Sequence, residues 1–155
     1  MKLNLGSGKN RSPGWSNCDK NAGCDPDIVI DLDDPFKCKV IKPDSVEEVK
    51  ANHILEHLLY PDRFFNWLYD VCKVGAKIHI ECPHVRQMID NPNHFYADPT
   101  HRRGYCHETF QFICDPEKAE TAGIYGKFKL VTYNGVGLKI KSAHPVCVVD
   151  LEVLK

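Results

Sequence analysis

The sequence predicts an α/β fold: a mostly parallel sheet with an antiparallel pair of strands at one edge and its first helix shortened or missing. Three observations carry that expectation. Leu3 and Leu5 alternate with polar residues, the period of a short strand, and run straight into Gly6-Ser7-Gly8. A helical apolar period begins near Pro61 between two strand-like runs. Two late apolar runs, 128–133 and 146–154, follow one another with no strong helix pattern between them.

The first strand ends in a Gly-x-Gly turn, where the lack of Cβ atoms lets the backbone bend sharply and approach a ligand. In open α/β sheets, ligands lie beyond the carboxyl ends of the strands. Arg11-Ser12-Pro13-Gly14 then reads as a loop and Trp15–Asp19 as a second strand ending on a carboxylate. A parallel crossover normally takes about a dozen residues or more. The stretch from Gly8 to Asp19 therefore has no room for a full helix.

Ile28-Val29-Ile30-Asp31-Leu32 is a continuous run of the kind found in strands buried on both faces, again with carboxylates at its end. Val46, Val49 and Ala51 mark a weaker strand leading into Asn52-His53-Ile54-Leu55-Glu56-His57. From Pro61, suited to a first helical turn, Phe64, Leu68, Val71 and Cys72 follow on one helix face, with Gly75 placed to end it. Ala76, Ile78, Ile80 and Cys82 alternate with Lys77, His79 and Glu81 in a strand that Pro83 stops. The Asn-, Pro- and His-rich stretch after it reads as a loop or lid at about 84–107. Tyr105 to Cys114 fits a short helix with Tyr105, Phe110 and Ile113 turned inward. Asn134-Gly135-Val136-Gly137 and a polar stretch separate the last two strands.

At 155 residues the chain is expected to form a single domain, 1–155, with a core that needs no staples. Lys+Arg 20 against Asp+Glu 21 gives no strong nucleic-acid signal, and no apolar run is long enough to span a membrane. The first ten residues do not read as a signal peptide, so the expected compartment is cytoplasmic. The eight cysteines form no C-x-x-C pair and read as scattered reduced thiols; no metal site is expected from them.

The segments Leu3–Gly8, Ser16–Asp19, Asp31-Leu32 and Ser45–Leu58, in that order and spacing, resemble those of class I S-adenosylmethionine-dependent methyltransferases. The likeness is to the small type 11-like branch. It continues through Glu81-Cys82-Pro83-His84 and Asp98-Pro99-Thr100-His101-Arg102-Arg103, covering roughly residues 2–114. It implies a Rossmann-like methyltransferase sheet and S-adenosyl-L-methionine as cofactor. By the same resemblance Leu5 belongs to the cofactor-binding set, the backbone of Gly6, Ser7 and Gly8 passes beside the methionine part, and Asp31 and Leu32 meet the adenine. Asn52 and His53 lie near the sulfonium. Asp19, at a strand end, can accept both ribose hydroxyls. Where the family's loop often has a third glycine, this chain has Asn10, a residue that tolerates a left-handed backbone.

A cofactor without phosphate needs no Walker lysine, and Gly6-Ser7-Gly8-Lys9 lacks the P-loop spacing. His53, His57 and His101 are candidate catalytic bases by location, and His84, Arg102 and Arg103 candidate substrate contacts. A small molecule or sugar is the expected acceptor. Two other readings compete: a methyltransferase-like binding module without turnover, and a zinc hydrolase. The second rests on His53-Ile54-Leu55-Glu56-His57, which matches H-x-x-E-H and requires a helix across the whole motif.

Overall fold

The computed structural model describes residues 1–134 and 145–155. Strands β1 (Lys2–Leu5), β2 (Ser16–Asp19), β3 (Ile28–Val29), β4 (Val46–Asn52), β5 (Cys72–Pro83), β6 (Phe128–Asn134) and β7 (Val146–Val153) form one sheet. Its order is β3-β2-β1-β4-β5-β7-β6. All pairings from β3 to β5 are parallel, while β7 runs antiparallel to both β5 and β6. The expected mixed sheet with an antiparallel edge pair is present. Gly135 to Gly137 and the polar stretch beyond them lie outside the described residues.

The register explains the alternation. Leu3, Val49, Ile78 and Leu151 stand in one row across the sheet, and Leu5, Ala51, Ile80 and Val149 in the next. All are buried. Helix α1 (Pro61–Val71) supplies Phe64, Phe65, Trp67 and Leu68 to the core, and the Phe65 ring meets Phe128 of β6 edge-on at 5.8 Å. Between these rows the side chains are polar: Lys2, Glu48, Lys77 and Glu152 in one, Asn4, Lys50, His79 and Asp150 in the other. Parallel sheets normally carry helices on both faces. Here residues 6–15 form no helix and residues 20–27 only one tight turn, Ala22–Cys24, so this face keeps charged rows such as the Lys2–Glu48 pair at 2.7 Å.

Side-chain bonds hold the helix-free connection. Asn17, buried on β2, accepts from the Ser12 amide at 2.7 Å and from Asn4 Nδ2 at 2.9 Å. It donates through Nδ2 to the Trp15 carbonyl and to Asp27. Asn4 also reaches the Asn10 carbonyl. Two buried amides thus satisfy backbone groups that a helix would satisfy internally.

Four expectations need correction. The run from Ile28 to Leu32 is a strand only at Ile28–Val29, with Val29 58% exposed, because β3 is the sheet's edge. The helix ends at Val71. Cys72 is extended and pairs with Val46, and Gly75 (φ 74°) sits where β5 shifts register against β4, since an apolar residue at a helix–strand junction satisfies either period. Residues 84–107 are no plain loop: α2 (Val85–Asp90) and α3 (Pro92–Phe95) lie there, too short for a period to show, with Phe95 fully buried. The helix expected from Tyr105 starts at His107 (α4, His107–Cys114), with Tyr105, Phe110 and Ile113 buried as expected; α5 (Pro116–Thr121) follows it unforeseen.

Candidate functional site

The carboxyl ends of β1, β2 and β4 open onto a cavity of about 430 Å³. Gly6, Asp19, Asp31, Leu32, His53, His57 and Arg102 line it, with Lys20, Ile30, Asp33, Ile54, Leu58, Leu59 and Thr100.

The glycine turn is built for this place. Gly6 has φ 64°, and a Cβ there would lie 2.8 Å from Ile54 Cγ1. Gly8 has φ 50° and faces open space. The Ser7 amide donates to the Cys18 carbonyl at 3.0 Å, and the Gly8 amide to Asp19 Oδ2 at 2.8 Å. Asp19 Oδ1 accepts the Asn21 amide, also at 2.8 Å. Each carboxylate oxygen offers two lone pairs, so one on each remains for a ligand hydroxyl. Asn10 does not take the expected left-handed backbone: its amide closes a turn onto the Ser7 carbonyl at 2.8 Å.

His53 has φ 51°, a conformation that costs energy for a residue with a Cβ. Its amide donates to the Glu81 carbonyl at 2.7 Å, and its ring lies between Glu56 Oε1 (3.3 Å) and Glu81 Oε1 (3.0 Å). The bond to Glu56 outweighs burial and raises the His53 pKa above the usual imidazole value. His57 sets Nδ1 against Thr100 Oγ1 at 2.8 Å, and the Thr100 hydroxyl donates to Asp98 Oδ1 at 2.6 Å. The Thr100 donors hold the Asp98 carboxyl below its ordinary value.

The zinc-hydrolase geometry does not form. His53 is left-handed and only Leu55–His57 makes a single tight turn, so no helix runs across the motif.

No family model matches the chain, and no curated protein matches it in sequence. Solved structures do. An S-adenosylmethionine-dependent methyltransferase from Methanosarcina mazei superposes with a TM-score of 0.68 at 12% identity, over 99% of this chain and 92% of the other. One from Archaeoglobus fulgidus gives 0.65 at 18% identity, over 97% and 85%. The fold is that of the S-adenosylmethionine-dependent methyltransferases. The same fold is shared by the [4+2]-cyclase SpnF, with a TM-score of 0.66 at 12% identity over 99% and 74%.

Against this methyltransferase fold, the expected site residues fall into two groups. Gly6, Asp19, Asp31, Leu32, His53, His57 and Arg102 meet around the cavity. Leu5 is buried in the core, Ser7 and Gly8 form the turn behind the wall, and Asn52 is an exposed residue ending β4. His101 stands behind His57, their rings 4.8 Å apart. His84 caps α2 by accepting the Arg86 amide, and burial lowers its pKa. Arg103 points its guanidinium toward the Leu59 carbonyl. Sequence reasoning missed Asp33, which accepts the Leu59 amide at 2.6 Å and ties one wall to another. It also missed Thr100, although Asp98-Pro99-Thr100 carries the Asx-turn signal.

Proposed function

We propose that the chain is an S-adenosylmethionine-dependent methyltransferase acting on a small molecule or sugar. The observation that carries this reading is the cavity itself. It lies at the carboxyl ends of parallel strands, and carboxylates from two neighbouring connections line it together with a glycine turn. Its volume suits a small ligand rather than a macromolecular groove. Asp19 would hold the ribose diol through its remaining lone pairs, while Asp31 and Leu32 would frame the adenine. The bound cofactor would supply an activated methyl group.

The chain's own task is then alignment and proton handling. Orientation alone can lower a barrier by about 7–11 kcal/mol in favourable cases. His57 is the best placed base, because Thr100 Oγ1 accepts its Nδ1 proton and leaves Nε2 free to take the acceptor's. His53, its pKa raised by the bond to Glu56 and its ring lying between Glu56 and Glu81, serves as a positioning residue. Arg102 donates through Nε to the His57 carbonyl at 3.2 Å and presents positive charge to an anionic acceptor.

Calorimetric titration with S-adenosylmethionine and S-adenosylhomocysteine tests the cofactor. Formation of S-adenosylhomocysteine with sugar, phenol and amine acceptors tests turnover. Binding without turnover on any acceptor would favour the binding-module reading; no binding of either compound would overturn both.

A further inference from the structure

Glu56 is fully buried, and its Oε2 is the one buried side-chain oxygen among the described residues without a hydrogen-bond partner. A buried carboxylate oxygen left without a donor is costly, so something cationic or protic is expected to meet it. Its other oxygen, Oε1, meets His53 Nδ1 at 3.3 Å and lies 4.0 Å from His57 Nε2, and neither the His57 nor the His101 ring donates to the carboxylate. The His101 ring sets Nδ1 2.8 Å from the Phe95 carbonyl, which can only accept, so Nδ1 carries the proton. His57 Nδ1 donates to Thr100, whose own hydroxyl proton goes to Asp98. With Nδ1 engaged in each ring, Nε2 is the nitrogen that can offer a lone pair to an ion; His101 Nε2 also lies 3.9 Å from Asp98 Oδ2. One ligand atom from each of Glu56, His57 and His101 lies within 4.8 Å of the others. The rings are tilted 58° to each other rather than stacked.

We propose that Glu56, His57 and His101 bind a single divalent transition-metal ion such as Zn2+. Two imidazoles and a carboxylate are a donor set for a borderline cation, and three protein ligands leave a coordination position open. The outer contacts have the form that orients such ligands: each histidine gives its second nitrogen's proton to an oxygen, in one case through a Thr–Asp relay. This set differs from the linear H-x-x-E-H reading, because His101 replaces His53. His57 and Thr100 also line the cavity, so the ion sits beside it. With the ion bound, His57 Nε2 is a ligand in place of a base, and an acceptor hydroxyl in the open position would lose its proton to solvent. That role rests on the methyl-transfer reading, whereas binding of the ion does not.

The test uses the full chain, stripped with chelator and titrated with Zn2+, then with Co2+ as a spectroscopic probe. About one ion per chain is expected to survive desalting. The Co2+ visible spectrum should be that of nitrogen and oxygen ligands, without thiolate charge-transfer bands. His57→Gln and His101→Gln should each weaken binding at least roughly tenfold, while His53→Gln leaves it within about twofold. The two histidine variants are partly exposed positions, so they keep the test readable if Glu56→Gln fails to fold. No retained ion, affinity unchanged from the parent in either histidine variant, or a thiolate spectrum from the cysteines would overturn the proposal. Titration with S-adenosylhomocysteine runs in parallel. Loss of that binding with the ion retained counts against the methyltransferase reading, and the converse against the metal site.

Discussion

The Gly8 amide donates to Asp19 Oδ2 at 2.8 Å, so the glycine turn after β1 and the carboxylate after β2 are one mechanical unit. The residue that would hold a ribose also holds the loop against which the ligand would lie. Asp19→Ala is expected to weaken S-adenosylhomocysteine binding by roughly 10- to 100-fold, the loss of charged hydrogen bonds worth about 1.5–3 kcal/mol. It should also lower the melting temperature. Calorimetry and a thermal melt on the same sample separate the two effects.

Gly6 and Gly8 share a left-handed backbone but not their surroundings. At Gly6 a methyl would press on Ile54 Cγ1, Cβ and Cδ1, all within 2.9 Å; at Gly8 it would meet nothing within 4 Å. Gly6→Ala is expected to cost about 2–4 kcal/mol, from overpacking plus backbone strain, and Gly8→Ala about 1–2 from strain alone. Urea unfolding of both variants checks the difference. Equal losses would mean that Ile54 yields freely.

Asn17 bonds to the Ser12 amide, Asn4, the Trp15 carbonyl and Asp27 from a buried position on β2. Asn17→Ala should destabilise the chain by about 2–4 kcal/mol, since its partners are left without replacements. Bonds from Asn17, with Arg11 adding to them, hold the Asp27 carboxyl down at about 2. The variant loses the side-chain donor but keeps the backbone amide that contributes most, so the Asp27 titration, followed by NMR, should move only part of the way up toward the ordinary carboxylate value.

The bond to Glu56 raises the His53 pKa above its unfolded value. The folded state therefore binds a proton more tightly than the unfolded chain. The stabilisation is complete below about pH 6.5 and fades as pH rises through the folded pKa. His53→Gln should remove this component, so the stability difference between parent and variant shrinks on going from pH 6 to pH 9. Chemical unfolding at several pH values reads it; a gap that widens with pH would contradict the sign.

Legibility varied with how local the signal was. The alternation along β5 and the spacing of Phe64, Leu68 and Val71 on α1 were plain, because both express burial on one face with a fixed period. Gly6, Asp19, Asp31 and Leu32 could be placed at one cleft because each follows a strand or its continuation. The Ile28–Leu32 run misled, since an apolar run does not say whether its strand is central or at the edge. Helices α2 and α3 were hidden because each runs for less than two turns, too short for the helical period to repeat.

By itself the sequence determined the class of fold, the absence of a first helix and the set of strand-end residues, since periodicity and turn chemistry act between near neighbours. Only the tertiary structure decided that Asn17 would replace that helix as the loop's anchor. It alone set His53 between Glu56 and Glu81, and brought His101 against His57 and Glu56 from across the chain. Those are contacts between residues far apart in sequence, fixed by sheet register and packing, and no local pattern encodes them.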